Sequence, residues 1–395
     1  MHETGFLIQV FPWVEEELSS LRESGLYRSR RTLNSPQQPQ LIVDGKTCLS
    51  FCSNDYLGLA NHPAVVAAFK QGLETYGAGA GSAHLVSGHM APHDALEKEL
   101  AAFLGYPRAL LFSTGYMANL GVASALLGAG DAVFEDRLNH ASLLDAGLLS
   151  RARFRRYTHN NSDRLAELLA ADNSRRRLIM TDAVFSMDGD LAPLDKLADV
   201  AQKADALLMI DDAHGFGVLG EQGRGSAELF GLGVEQVPLL MGTLGKALGG
   251  FGAFVAGPES LIELLIQKAR TYIYTTATPP AMAEALRAAL KVVQQQPQRR
   301  QHLTQLIEQF RAGIADLGYE LMPSSTPIQP ILVGSPEAAL QMSRQLNDQG
   351  FLVTAIRPPT VPKGSSRLRV TLSAAHSSQQ VEALIAAFAT IKPSC

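Results

Sequence analysis

The sequence predicts an α/β fold: a mostly parallel sheet covered by helices on both faces. Short apolar runs such as Ala206–Ile210 and Val237–Met241 end in turns of small or polar residues, and helical patterns separate the runs. This alternation continues over about 200 residues, which is typical of doubly wound sheets. The chain has 395 residues, more than one core usually holds, so we also expect a smaller C-terminal α/β domain.

The expected domain organisation has three parts. Residues 1–50 would form an arm of one helix and one hairpin, and residues 51–294 a large domain built on the parallel sheet. Residues 295–395 would form the small domain, because Gln295–Pro297 is the clearest boundary late in the chain.

Composition restricts the class of protein. The formal net charge is −4, which gives no general reason to expect nucleic-acid binding. The N-terminus lacks the pattern of a secretory signal, and no apolar run approaches the roughly 18 residues of a membrane span. Three cysteines, Cys48, Cys52 and Cys395, are too few for a disulfide framework. We expect a cytoplasmic protein that binds neither nucleic acid nor membrane.

The N-terminal elements follow from local patterns. Trp13–Arg31 carries a helical apolar stripe, and its basic end, which includes Arg28, suits either a helix C-terminus or a carboxylate. Asp44-Gly45 predicts a tight hairpin turn between Leu41–Val43 and Lys46–Phe51. Pro63 then begins a helix that reaches about Tyr76.

The remaining elements are predicted in chain order. The strands of the large sheet are Ala109–Phe112, Asp131–Phe134, Phe154–Tyr157, Arg177–Thr181, Ala206–Ile210, Val237–Met241 and Ala253–Ala256. The helices between and after them include His93–Leu104, Tyr116–Leu127, Leu194–Ala204 and Ala281–Gln294. The C-terminal elements are Arg299–Leu317, Ile328–Val333, Pro336–Gln349, Leu352–Ile356, Arg367–Leu372 and Ser378–Ile391.

Two polar residues that follow buried strands indicate the chemistry. Lys246 lies in a small-residue turn after its strand, and a lysine packed there has a depressed pKa and can form a Schiff base. Asp211 ends another strand, where open α/β sheets bind ligands. A lysine paired with an aspartate that holds a ring nitrogen protonated is the signature of pyridoxal 5'-phosphate (PLP) sites. The alternative is a lysine that extends into solvent.

The turn Ser113-Thr114-Gly115 lies between a strand and a helix, a geometry that binds phosphate through free backbone N–H groups. The chain has no Walker A motif here or at Lys246. The phosphate therefore belongs most simply to a cofactor such as PLP.

Three histidines, His84, His89 and His93, lie close together in sequence, with Glu97 one turn beyond the last. Their spacing permits metal ligation, but no nearby cysteine completes a ligand set. We therefore expect ordinary hydrogen-bonded histidines and no metal.

Together these segments resemble the α-oxoamine synthases, which are PLP enzymes of fold type I. The resemblance extends from Asn54 to His376, and one departure is His84, where relatives have arginine. The motifs that carry it are NDYLGL at Asn54–Leu59, LVSGHMAPHDALE at Leu85–Glu97, STGYMAN at Ser113–Asn119, NHASLLDA at Asn139–Ala146, VFSMDGD at Val184–Asp190, DDAHGFGVLG at Asp211–Gly220, TLGKALGG at Thr243–Gly250, AIRPPTVP at Ala355–Pro362 and RLRVTLSAAH at Arg367–His376.

The resemblance implies a role for each cofactor residue. Lys246 would carry the cofactor covalently and then act as the general base, while Asp211 would hold the ring nitrogen charged. His140 would stack on the ring, although a histidine at a helix N-cap is the alternative. The remaining contacts would come from His214 and Ser186 near the phenolic oxygen, from Gly115, Tyr116 and Thr243 at the phosphate, and from Thr276 at the phosphate of a neighbouring subunit.

The same resemblance implies substrates and assembly. Arg357, with Thr360 in the same Pro-Pro-Thr segment, would bind the amino-acid carboxylate beside Asn54, and Arg28 would bind a distal carboxylate of the acyl chain. Thr276 implies an obligate homodimer with active sites at the subunit interface.

Within the family, the segments at Leu85–Glu97 and Ile356–Pro362 favour condensation of L-alanine with a pimeloyl thioester, carried on coenzyme A or on an acyl-carrier protein. The alternatives are a sister activity that joins glycine to an acetyl or succinyl thioester, and a catalytically silent partner subunit. Retention of Lys246, Asp211 and His140 argues against the silent subunit.

Overall fold

The computed structural model describes residues 11–24 and 26–391. Cys395 and the neighbouring terminal residues lie outside this part of the chain. The strands are β1 Gln40–Val43, β2 Lys46–Ser50, β3 Arg108–Phe112, β4 Ala132–Asp136, β5 Arg153–Tyr157, β6 Arg177–Asp182, β7 Leu207–Asp211, β8 Leu239–Thr243, β9 Ala253–Gly257, β10 Ile328–Gly334, β11 Phe351–Leu352, β12 Thr354–Ile356 and β13 Ser366–Thr371.

The described part of the chain contains one π-helix of five residues, His84–Gly88, besides its α-helices. The α-helices are α1 Pro12–Glu23, α2 Pro63–Tyr76, α3 Ala91–Leu104, α4 Gly115–Leu126, α5 Ala141–Leu149, α6 Ser162–Ala170, α7 Leu194–Lys203, α8 Ser226–Leu229, α9 Glu259–Lys268, α10 Arg270–Ile273, α11 Pro280–Gln295, α12 Gln298–Asp316, α13 Pro336–Asp348 and α14 Ser378–Thr390.

Seven strands form the large sheet in the order β3-β9-β8-β7-β6-β4-β5. All neighbours are parallel except β9, which runs antiparallel to both β3 and β8. The connection from β8 to β9, residues 244–252, is too short for a parallel crossover, which needs a dozen or more residues. Apolar clusters cover both faces of the sheet, so the predicted mostly parallel, doubly covered architecture is confirmed.

Two three-stranded sheets lie beside the large one, β10-β13-β12 and β1-β2-β11. The second sheet joins the predicted N-terminal hairpin to the C-terminal region, because β2 pairs in parallel with β11. The predicted strand Leu352–Ile356 is wrong as a single element. It divides at buried Val353 into β11 and β12, which belong to different sheets. The boundaries expected at 50 and 294 stay a prediction.

The first helix is shorter than predicted. It ends at Glu23, and the backbone N–H groups of Leu26 and Tyr27 both donate to the carbonyl of Leu21. Those two bonds close the last turn, and the chain continues into an irregular segment that contains Arg28. The interpretation of Arg28 as a charge at the helix C-terminus is therefore wrong; Arg22 occupies that turn.

Among the residues that the structure describes, none of the helices has the length and apolar character needed to span a bilayer.

Candidate active site

A cavity of about 190 Å³ opens where the parallel strands β6, β7 and β8 end. Eight residues that the sequence assigned to a cofactor site line it: Gly115, Tyr116, His140, Ser186, Asp211, His214, Thr243 and Lys246. Four others complete the lining: Ser142, Asp182, Ala213 and Met241. A larger groove of about 850 Å³ lies among α3, α11 and α12, and none of the predicted site residues lines it.

The amine of Lys246 lies at one end of a buried hydrogen-bonded chain. Its Nζ is 2.8 Å from Nε2 of His214, and Nδ1 of His214 is 2.5 Å from the hydroxyl of Tyr56. Burial lowers the pKa of His214 well below its ordinary value, so the ring is neutral and donates through only one nitrogen. It therefore couples the hydroxyl of Tyr56 to the amine of Lys246.

Burial also lowers the pKa of Lys246 to about 8, although the negative charges of Asp211 and Asp182 oppose the shift. A lowered pKa raises the fraction of unprotonated amine near neutral pH. Lys246 is thus placed to act as a nucleophile and as a base.

Asp211 is a buried carboxylate held in a fixed orientation at the end of β7. Its Oδ1 accepts a hydrogen bond from the backbone N–H of Ala213 at 3.0 Å, and its Oδ2 accepts one from the amide of Asn119 at 2.8 Å. The same Asn119 amide donates to Oγ of Ser142. Both oxygens of Asp211 thus accept hydrogen bonds from neighbouring groups, and these bonds fix the carboxylate beside the cavity.

The N-terminus of α4 forms another wall of the cavity. Thr114 is its N-cap, and the Thr114 hydroxyl accepts a hydrogen bond from the backbone N–H of Met117. Gly115 and Tyr116, the first two residues of α4, both line the cavity. Free N–H groups of a first helical turn, together with the helix dipole, favour a phosphate group.

The alternative given above for His140, a helix N-cap, is what the structure shows, and stacking on a cofactor ring stays a prediction. It is the N-cap of α5, with Nδ1 accepting from the backbone N–H of Ser142, and its side chain also lines the cavity. Its backbone N–H donates to Oδ2 of Asp182 at 2.6 Å. Asp182 lies directly beside Asp211 in the sheet, and burial, followed by the charge of Asp211, raises the pKa of Asp182 well above its ordinary value.

Arg369 is a buried arginine that the sequence did not single out, and it contacts Ser186 in the lining of the cavity. The Nε of Arg369 donates to the carbonyl of Ser186 at 2.7 Å, and its Nη atoms are 3.3 and 3.4 Å from Oδ1 of Asn54. Asn54 Oδ1 also accepts from the Tyr56 hydroxyl, so Arg369 joins the chain that ends at Lys246. The positive charge of Arg369 depresses the pKa of Lys246 further, after burial.

Five predicted residues do not line the cavity: Arg28, Asn54, Thr276, Arg357 and Thr360. Arg28 is exposed in the irregular segment after α1, and Thr360 is exposed beyond β12. Arg357 follows β12, where its carbonyl accepts from the backbone N–H of Thr360. Thr276 is exposed, and its backbone pairs with Ala83 in an isolated bridge.

An ion-paired histidine fixes the loops around the cavity. His159 bonds through Nδ1 to Asp136 at the end of β4 and through Nε2 to Asp190 in the turn after β6. Burial alone would lower the pKa of His159, but these two carboxylates outweigh it and raise the pKa to about 10. The charged ring therefore ties the segment before His140 to the segment after Ser186.

We expect His159→Gln to lower the free energy of unfolding by about 3 kcal/mol, because two partly buried carboxylates lose their counter-charge. The raised pKa gives a stabilisation that is complete below pH 6.5 and is lost as the pH rises toward 10. Urea unfolding of both proteins at pH 6, 8 and 9.5 measures the difference, which should shrink at each step. A difference that does not change with pH would contradict the ion pairing.

The residues present fit PLP on structural grounds. The cavity places an amine with a lowered pKa, a fixed carboxylate, a histidine ring and a helix N-terminus around one space. These groups match an aldehyde, a ring nitrogen, a ring face and a phosphate. Sequence reasoning missed Tyr56, Asp182 and Arg369 as members of the site, although each lies inside or next to a motif that it quoted.

Comparisons with known proteins agree with this geometry. The family model for aminotransferase class I and II matches residues 46–388. The 8-amino-7-oxononanoate synthase of Methylococcus capsulatus is 60% identical and is matched over 95% of this chain and 97% of its own length. The enzyme of the same name from Nitrosococcus oceani is 63% identical, over 93% of this chain and 98% of its own length.

Solved structures give the same result. Serine palmitoyltransferase from Sphingomonas wittichii has a TM-score of 0.90 at 31% identity, covering 98% of this chain and 97% of that one. A high-resolution structure of SPT with its PLP internal aldimine also scores 0.90, at 30% identity and with 96% of each chain covered. The 8-amino-7-oxononanoate synthase of Francisella tularensis scores 0.75 at 33% identity, with 87% of this chain and 97% of that one covered.

The chain therefore belongs to the aminotransferase class I and II family and, within it, to the group of relatives named 8-amino-7-oxononanoate synthase.

Proposed function

We propose that the chain is a PLP-dependent acyltransferase that condenses L-alanine with a pimeloyl thioester. The products would be 8-amino-7-oxononanoate, CO2 and the free thiol carrier, in the pathway that makes biotin. The observation that carries the proposal is the single cavity shared by Lys246, Asp211 and His140. The names of the relatives support the choice of reaction.

PLP, when bound, supplies an electron sink for negative charge at the amino-acid Cα. Lys246 would hold the cofactor and would then exchange the Cα proton through an amine whose pKa is about 8. His214 and Tyr56 keep that amine oriented through two short hydrogen bonds. Asp211 would hold the ring nitrogen protonated, and His140 would cover one face of the ring.

Arg369 is a better candidate than Arg357 for the alanine carboxylate. Its guanidinium contacts Asn54, which the sequence also assigned to substrate, and reaches the carbonyl of cavity-lining Ser186. A buried, planar guanidinium suits a carboxylate through paired charge-assisted hydrogen bonds. Arg357 and Thr360 then remain candidates for another part of the substrates, as does Arg28.

We also propose a homodimer, with active sites at the subunit interface, that works in the cytoplasm. Three apolar side chains near the Ala83–Thr276 bridge are exposed: Val86 at 80%, Tyr274 at 71% and Leu85 at 52%. An exposed apolar patch of this kind is typical of a subunit interface. Thr276 within it would be placed to reach the phosphate of the neighbouring subunit.

Thiol release tests the reaction. PLP-loaded protein is supplied with L-alanine and pimeloyl-CoA, with glycine and acetyl-CoA, or with each thioester alone as the control for hydrolysis. We expect amino-acid-dependent release with the first pair only. Release with the second pair only would assign the chain to the sister activity that uses glycine.

A carrier-protein thioester tested beside the CoA ester decides which acyl donor the chain prefers. Release that is independent of any amino acid would contradict a condensation.

A further inference from the structure

Three imidazole rings converge at a place that the proposed reaction does not use. His84 is the first residue of the π-helix, and His89 directly follows its last residue. His93 lies in the first turn of α3. Nδ1 of His84 is 2.9 Å from Nδ1 of His89, and one ring nitrogen from each of the three histidines lies within 4.8 Å of the others. The sequence predicted ordinary hydrogen-bonded histidines and no metal, and the fold gathers the three rings into one cluster.

The spacing of the rings is that of a three-histidine metal centre. With metal–nitrogen bonds of about 2.0–2.1 Å, tetrahedral geometry places neighbouring ring centroids about 5.2 Å apart. The observed centroid distances are 5.2 Å for His84 and His89, 5.1 Å for His84 and His93, and 5.8 Å for His89 and His93. The three ring centroids therefore lie close to the tetrahedral spacing.

We propose that His84, His89 and His93 form a binding site for a divalent transition-metal ion of the zinc class. Imidazole nitrogen is a favoured ligand for such ions. A neutral imidazole ring offers one nitrogen lone pair to such an ion. The carboxylate of Glu97 lies 3.9 Å from Nε2 of His89, the ring nitrogen that does not contact His84, so it would support that ring from outside the site.

The hydrogen bonds of His93 determine how it would bind. Its Nε2 is 2.8 Å from the carbonyl of Thr278, and its Nδ1 accepts from the backbone N–H of Met90. If Nδ1 bound the metal, the hydrogen bond from the backbone N–H of Met90 would be lost, and the bond from Nε2 to the carbonyl of Thr278 would remain. A metal-bound histidine usually donates its other ring N–H to a carbonyl or carboxylate in this way. A bound ion would therefore brace the segment of Thr278 against α3.

The test uses the full chain without an affinity tag, at constant PLP loading and after removal of metal with a chelator. Co²⁺ is titrated while its visible absorption is followed, and Zn²⁺ is then added in competition. We expect saturation at one equivalent of Co²⁺, bands typical of a four-coordinate ion, displacement by Zn²⁺, and a higher thermal midpoint with Zn²⁺ bound.

The variants His84→Gln and His89→Gln should each weaken Co²⁺ binding at least ten-fold. His62→Asn is the matched control, because His62 is the N-cap of α2 and asparagine keeps a cap while it removes an imidazole. Replacement of all three cysteines, Cys48, Cys52 and Cys395, by serine excludes thiol binding. Because His89 is exposed, its variant should fold even where the His84 variant does not.

Unchanged affinity in both histidine variants, loss of binding in the cysteine variant, or no saturable binding by the parent chain would each overturn the site.

Discussion

Lys246→Ala should reduce turnover by about a thousand-fold or more, since the change removes both the nucleophile and the general base. The fold should persist, because among the described hydrogen bonds the Lys246 amine makes one only, to the side chain of His214. Thiol release at saturating substrates measures turnover, and the thermal midpoint measures the fold.

Lys246→Arg is the matched control, because it keeps a cation of similar length whose pKa is too high for a base. It should be as inactive as the alanine variant. Turnover that survives in either variant would exclude Lys246 from the chemistry.

Arg369→Ala should raise the apparent KM for L-alanine about 10- to 100-fold, which corresponds to the loss of a paired charge-assisted contact. The KM for the thioester should change little. Arg357→Ala, made in parallel, tests the prediction that the sequence alone suggested, and we expect it to affect alanine much less.

A general disturbance at Arg369 would move both KM values, because Arg369 also holds Ser186 and Asn54. Asn54→Ala therefore serves as a second variant and should shift the alanine KM in the same direction. A larger alanine effect in Arg357→Ala than in Arg369→Ala would contradict the assignment to Arg369.

Most of the fold could be predicted because its strands are short, apolar and followed by distinctive turns. All seven strands of the large sheet lie within a few residues of their predicted places, and the polar groups that follow β7 and β8 meet in one cavity. Sequence periodicity places elements well when the pattern is local, since burial on both faces requires continuous apolar runs.

The errors arise where long-range pairing decides the structure. Phe351–Leu352 pairs with β2, which lies some 300 residues earlier, whereas Thr354–Ile356 pairs with β13. A local apolar pattern carries no information about that change of sheet. Likewise, the end of α1 depends on two backbone bonds to Leu21 rather than on the apolar stripe.

Arg369 was missed for a related reason. It lies in a buried strand, where the sequence RLRV reads as a solvent-facing alternation, yet Arg367 and Arg369 are 3% and 8% exposed. Charged residues are rarely buried unless they are paired, so two arginines in an apolar strand were the available signal. The cluster of His84, His89 and His93 could not be predicted from the spacing of these residues along the chain. It depends on the π-helix at His84–Gly88, after which the ring of His84 contacts those of His89 and His93.

A condensation that expels the amino-acid carboxyl group is tested by the thiol-release assay run with L-alanine labelled with ¹³C in that carboxyl. We expect one labelled CO2 for each thiol released, and a product that retains the other two alanine carbons without label. Thiol release without labelled CO2, or a product that keeps the label, would contradict it.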